Sequence, residues 1–177
     1  RRSRGLGDVY KRQALKQRNK LLKSISEGAK IDNITIEAFN YTLSQKSKYI
    51  FESRKKFVKE INSIFQKFYA IISKSNETVN LKYISHLNDN SMSELLNQNL
   101  EFDKRSKSTT HGPHKDDISL IMDNRLIKKF GSQGQKKTFL VSLKLAQLEL
   151  LEKINNIKPI LLMDDIFDKL DFSRVKN

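Results

Sequence analysis

The sequence predicts an α/β fold in which long helices precede a compact helix-strand unit, and three observations lead there. First, Phe57, Ile61, Ile64, Phe65, Phe68, Ile71 and Ile72 recur at helical spacing and make one apolar stripe. Second, Ile-Leu-Leu-Met at 160–163 is apolar without alternation and stops at Asp164 and Asp165. Such a run marks a strand buried on both faces, as in a parallel sheet. Third, a Ser-Gln-Gly-Gln turn at 132–135 opens a helical pattern that leads into that strand. With 177 residues, 37% of them hydrophobic, the chain can bury a core as one domain or two small ones.

Residues 1–13, RRSRGLGDVYKRQ, carry five basic residues, one acidic residue and no amphipathic period. They read as a non-native remnant outside the fold. The helical signal starts at Ala14, where Leu15, Leu21, Leu22 and Ile25 alternate with basic residues, and it closes near Gly28 as a C-cap. A second helix is predicted from about Ile34 to Ser75. It contains no proline and is long enough to form an arm or hairpin. Val79, Leu81 and Tyr83 alternate as in a half-buried strand, residues 92–105 return to helical period, and 106–110 read as a loop. ISLIMD and RLIKKF, flanking Asn124, predict a β-hairpin with a short Asp-Asn turn. The last elements are a helix from about Ser132 to Ile154, a loop closed by Pro159 and the strand at 160–163. Residues 14–108 thus read as a helical subdomain and 109–177 as an α/β unit.

Charge narrows the partners. Lys and Arg number 34 against 20 Asp and Glu, for a net charge of +14, which favours polyanions such as nucleic acid or nucleotide phosphates. A solvated basic surface accounts for the same numbers. There is no cysteine, which excludes disulfides, thiolate zinc sites and thiol catalysis. No run approaches the roughly 18 apolar residues of a membrane span, and a cytoplasmic protein is expected.

Two sites have residue types suited to chemistry. Ligands of parallel sheets bind beyond the carboxyl ends of the strands, so Asp164 and Asp165 are well placed. A strand ending in two acids has the form of a Walker B motif, the first acid serving Mg²⁺ through water and the second the attacking water. A strand entering an acidic loop would look the same. Ser132 to Gln135 fits an S-x-x-Q capping box, which by itself only starts a helix. A helix N-terminus with a glycine that lets the backbone approach closely also suits an anion. The His111-Gly112-Pro113-His114 stretch with Asp116 and Asp117 has metal-binding residue types. Pro113, however, breaks the helix that an H-x-x-H pair would share. His86 has no partner in the sequence.

Taken in order, ALKQRNKLL, HGPHKDDISL, KKFGSQGQKKTFLVSLKLAQLELL and PILLMDDIFDKLD resemble the blocks of the RecF family of bacterial recombination-repair proteins, which carry an SMC-like, ABC-type ATPase head. The resemblance covers roughly residues 14–177 and is strongest from 111 onward. It implies the C-terminal half of such a head (109–177) with a helical arm or lid (14–108). Ser132, Gln133, Gly134 and Gln135 resemble the signature motif, which implies contact by Ser132 and Gly134 with the γ-phosphate of ATP held by the opposite subunit. Asp164 would then serve Mg²⁺, Asp165 would be the catalytic acid, and Leu170 and Asp171 of the D-loop would lie at the dimer seam. Asp168-Lys169 stand where the family usually has a small residue followed by Glu or His. Gly112, His114, Asp116 and Asp117 resemble the family's return into the head, in a structural or nucleotide-proximal role. The implied function is ATP-dependent homodimerisation on DNA, at junctions of duplex and single-strand gaps, with RecR and RecO as partners in loading RecA.

A P-loop requires G-x-x-x-x-G-K-[ST], and the six glycines, at 5, 7, 28, 112, 131 and 134, offer no such pair. The chain is therefore expected to be a fragment with no meaningful ATPase activity alone. A rival reading is a stand-alone basic helical DNA-binding or structural module, with the turn a mere cap and the acids a mere loop. Another SMC-like head is disfavoured, because about 90 residues after Ala14 are too few for a long coiled coil.

Overall fold

The structure, a computed structural model, describes residues 2–29 and 33–162. Asp164, Asp165, Leu170 and Asp171 lie outside the described residues. The chain divides into two compact units that interleave in sequence, Arg1–Arg54 with Ile84–Asp117, and Lys55–Tyr83 with Ile118–Asn177.

The first unit holds α1 (Arg2–Ser26), the start of α2 (Asn33–Ser73), α3 (Met92–Gln98) and α4 (Leu100–Arg105). Its core cluster joins Ala14, Leu43, Met92 and Leu96, with Leu15 and Leu87 packed against it. On α1 the buried positions Ala14, Arg18 and Leu22 fall four apart, so the inward stripe includes an arginine. Helix α1 begins at Arg2 rather than at the expected Ala14. Arg, Lys and Gln are good helix formers and no proline interrupts the stretch, so one helix can run through a segment that lacks an apolar period. The predicted 92–105 helix is two helices that meet at Asn99, whose φ of −103° and ψ of 11° leave the helical region. Ser91 caps α3 with both halves of a capping box.

The second unit is built on the remainder of α2, on β1 (Val79–Ile84), β2 (Asp117–Met122), β3 (Arg125–Leu126), the short α5 (Ile127–Phe130) and α6 (Gln133–Asn155). Its core contains Val58, Ile61, Phe65, Tyr69, Val79, Leu81, Met122, Ile127, Phe139, Ala146 and Leu150. The α2 stripe is rotated slightly from the predicted one, because Val58 and Tyr69 point inward while Phe57 and Ile71 are exposed. Phe65 and Phe139 meet at 4.4 Å between centroids with their rings tilted by 47°, and Tyr69 lies 6.0 Å from both rings. Each such aromatic contributes on the order of 2 kcal/mol by leaving water.

The strands form one sheet in the order β1-β2-β3. β1 is an edge strand, and α2 side chains occupy its free polar groups. Asn62 Oδ1 accepts from the Leu81 N–H at 2.7 Å, and Gln66 Nε2 donates to the Val79 carbonyl at 2.8 Å. β2 and β3 pair antiparallel, Ile121 with Leu126 and Met122 with Arg125. Asp123 and Asn124 between them both have positive φ, 46° and 61°, so the predicted Asp-Asn hairpin turn forms without glycine. The predicted second strand is cut short. RLIKKF pairs only at Arg125 and Leu126, then turns into α5, which buries Ile127.

The predicted strand at 160–163 does not form over 160–162, and Met163 lies outside the described residues. Ile160 and Leu162 are 89% and 90% exposed. A strand buried on both faces requires strands and helices around it, and the sheet of the described residues is a small antiparallel one.

Candidate functional site

The Ser132–Gln135 turn is built by reciprocal hydrogen bonds. Ser132 Oγ accepts from the Gln135 N–H at 3.1 Å, and Gln135 Oε1 accepts from the Ser132 N–H at 2.7 Å. Both halves of the predicted capping box are therefore present. Ser132 and Gln133 are exposed, Gly134 and Gln135 half-buried. The Ser132 oxygen receives a proton here, which leaves its own O–H free to rotate toward an acceptor. The N–H groups of Gln133 and Gly134, in the first turn of α6, have no carbonyl one turn earlier in the helix to receive them.

The approach to the turn is tight. A Cβ on Gly131 would come within 2.6 Å of Ile127 Cγ1 and 2.8 Å of the Ile127 carbonyl oxygen, which already accepts from the Gly131 N–H. Buried Ile127 thus holds the entry to α6 against the core, and only glycine fits at that point.

Behind the turn stands a carboxylate that the sequence did not mark. Gln135 Nε2 donates to Glu77 Oε1 at 2.6 Å, while Glu77 Oε2 accepts from Tyr69 Oη at 2.6 Å and Ser75 Oγ at 2.8 Å. Glu77 lies in the link between α2 and β1 and carries no local motif.

The predicted Gly112–Asp117 block belongs to the first unit. Gly112 has φ 129° and ψ −178°, and Pro113 opens a 3-10 turn, Pro113–Lys115, as expected of a helix-breaking proline. His114 Nε2 lies 2.8 Å from the Thr109 carbonyl, which can only accept, so that nitrogen carries the proton. Arg54 Nη1 donates to the Pro113 carbonyl and, at 2.9 Å, to Asp116 Oδ2, while Asp117 opens β2 in an exposed position. His114 and Asp116 are thus both committed to holding the loop. Among the described residues no three His, Asp or Glu side chains gather as a metal site.

The same loop is anchored on a buried polar cluster. Arg18 donates from Nη1 to Asp103 Oδ2 at 2.8 Å and to Thr109 Oγ1 at 2.6 Å, and from Nε to Asn40 Oδ1 at 2.8 Å. Asp103 Oδ1 accepts from the N–H and the hydroxyl of Thr110, and Asn19 Oδ1 from those of Thr109. The Thr110 proton is spent on Asp103, so His111 Nδ1, 2.9 Å away, is the donor in that contact. His86, which has no partner evident in sequence, sits with its ring 4.5 Å from that of His111. Burial, and then the neighbouring His86, lower the pKa of His111, while Asp103 pulls in the opposite direction.

No protein-family model matches the chain. By fold it matches the structure of the recombination mediator protein RecF-ATP in the RecFOR pathway, with a TM-score of 0.86 and 29% identity over 99% of this chain and 49% of that one. A RecF-ATPrS structure of the same pathway gives a TM-score of 0.84 at 28% identity. By sequence the chain is 47% identical over 167 residues to the DNA replication and repair protein RecF of Flavobacterium johnsoniae, covering 94% of this chain and 46% of that protein. It is 43% identical over 164 residues to the RecF of Bacteroides thetaiotaomicron, covering 93% and 44%. Fold and sequence therefore agree on an α/β relative of recombination mediators. The curated relatives at this identity are RecF proteins, matched along nearly all of this chain, and the chain spans about half of their length.

Proposed function

We propose that the chain is part of a DNA replication and repair ATPase, in which Ser132 to Gln135 form a signature turn for ATP bound by the opposite subunit. The observations that support this reading are the match to RecF proteins along nearly all of this chain and a turn in which Ser132 and Gln133 are exposed at the start of α6. Its polar groups suit a phosphate: a free hydroxyl, N–H donors and the positive end of a 23-residue helix. In this reading residues 14–108 are the arm or lid and 109–177 part of an ABC-type head. Asp164 serves Mg²⁺, Asp165 the attacking water, and Leu170 and Asp171 the dimer seam. Two adjacent carboxylates would supply what a metal-assisted phosphoryl transfer needs.

The net charge of +14 supports DNA as the polyanionic partner. No helix among the described residues is long and apolar enough to cross a membrane. RecR and RecO as partners, support of RecA loading, participation in recombination and the SOS response, and a cytoplasmic, nucleoid-associated location complete the proposal.

The test uses the full-length gene product. ATP should strengthen both self-association and binding to gapped DNA, Ser132→Ala should weaken the ATP-driven association, and Asp165→Asn should block turnover while sparing nucleotide binding. DNA binding that is identical with and without ATP would leave only a basic DNA-binding module.

A further inference from the structure

We infer that Glu77 is a positioning residue for the signature turn, fixing the Gln135 side chain and tying the turn to Tyr69 on α2. The inference rests on the proposed role of Ser132, but its geometry stands on its own.

A glutamine side chain can be flipped end for end, and a capping box works in only one orientation. Gln135 must present Oε1 to the Ser132 N–H, and does so at 2.7 Å. Its Nε2 must then point away from that N–H, where Glu77 Oε1 receives it at 2.6 Å. Glu77 is acceptor-only when ionised, so it selects the amide end that faces it. Had the amide been reversed, two oxygens would meet at Glu77 and two N–H groups at Ser132.

Glu77 is itself fixed. Its second oxygen takes the hydroxyl protons of Tyr69 and Ser75, at 2.6 and 2.8 Å. Tyr69 is buried in the aromatic cluster with Phe65 and Phe139, and cannot shift without disturbing that core. A chain of hydrogen bonds, charge-assisted where Glu77 accepts, thus runs from Tyr69 through Glu77 and Gln135 to the Ser132 backbone. It crosses from α2 to the first turn of α6, two elements far apart in sequence. A displacement of α2 at Tyr69 is felt at Ser132, and a ligand that fixes the Ser132 turn favours one placement of Tyr69. The sequence gives no sign of this, because Glu77 sits in a polar link, SNET, with the look of a solvated loop.

The test has a structural arm and a functional arm. In the unmodified chain, NMR should show the Gln135 side-chain amide exchanging with solvent about tenfold more slowly than that of exposed Gln133, as expected for a hydrogen bond to a charged acceptor. Equal rates would overturn the proposal without any mutation. In Glu77→Ala the backbone amides of Ser132 and Gln135 should exchange about tenfold faster, while that of Leu150, in the buried part of α6, keeps its rate. Glu77→Gln, which can still offer an oxygen to Gln135, should recover most of the protection. Unchanged turn amides in a folded Glu77→Ala chain would overturn the proposal, as would equal acceleration at Leu150, the mark of general destabilisation.

In the full-length gene product, Glu77→Ala should weaken ATP-driven self-association about tenfold, with Glu77→Gln close to the unmodified protein. If Ser132→Ala leaves association unchanged, the signature reading fails, while the NMR result still decides the placement of Gln135. If Ser132→Ala weakens association and Glu77→Ala does not, the signature reading stands and the positioning role of Glu77 is overturned.

Discussion

Arg18 and Asp103, 85 residues apart in sequence, meet at 2.8 Å with both side chains withdrawn from solvent. The pair joins α1 to α4, and its remaining hydrogen bonds run to Asn40 on α2 and to Thr109 and Thr110 at the start of the loop that contains Gly112 and His114. A buried ion pair adds little net stability compared with a well-packed apolar pair, but its half-removal is costly. Arg18→Met should lower the unfolding free energy by about 3–5 kcal/mol in urea titration, because Asp103 is left charged and buried. Arg18→Met combined with Asp103→Leu should recover part of that loss. Additive losses would show that the two residues are not energetically coupled.

Gly112 makes the second prediction. Its φ of 129° is a backbone state that side chains rarely adopt, and a Cβ there would stand 2.7 Å from Met92 Cε. Gly112→Ala should therefore cost on the order of 2 kcal/mol or more. Adding Met92→Ala clears the space but not the backbone strain, and it opens a cavity in the α1-α2-α3 core. The double variant should remain less stable than the unmodified chain, and full recovery would assign the whole effect to the clash.

Much of this was legible in the sequence, and the misses share a cause. Helical period located α2 and α6 almost to the residue, and the S-x-x-Q spacing identified a capping box that forms as drawn, since such signals are local. The Asp-Asn hairpin turn was likewise readable from residue type. Arg18 escapes a pattern of apolar residues, which marks only Leu15, Leu21 and Leu22. The spacing of Ala14, Arg18 and Leu22 does place the arginine on the inward face. Glu77, Asp103 and Arg54 act through partners 58, 85 and 62 residues away, which no local window contains. Ile160 to Leu162 have the composition of a buried strand, but composition cannot supply the neighbours that a strand needs.

His111 makes stability depend on pH. Its folded pKa lies below the ordinary value of 6.5, because burial and the adjacent His86 disfavour its charged form. The unfolded chain therefore binds more protons in this range, and stability rises with pH. The contribution is fully present above 6.5, declines below it, and is lost as pH falls through the lower folded value. The thermal midpoint should drop between pH 7 and pH 5, and His111→Gln should flatten that part of the profile. An unaltered profile in His111→Gln would place the responsible group elsewhere.

Gly131 carries the last prediction, for it decides where α6 can begin. Its φ and ψ of −71° and 140° are open to any residue, so alanine meets no backbone penalty. The obstacle is space, with Ile127 Cγ1 at 2.6 Å and the Ile127 carbonyl oxygen at 2.8 Å from the Cβ position. The side-chain atom could give way by repacking, but the carbonyl belongs to α5 and already accepts the Gly131 N–H at 2.9 Å. Gly131→Ala should therefore cost about 1–3 kcal/mol by overpacking. It should also displace the Ser132 turn, speeding amide exchange at Ser132 and Gln135. Gly131→Ala with Ile127→Val frees the side-chain contact but leaves the carbonyl contact, so stability should recover more than protection of the turn. Equal recovery of both would show that the isoleucine side chain alone sets the position of the turn.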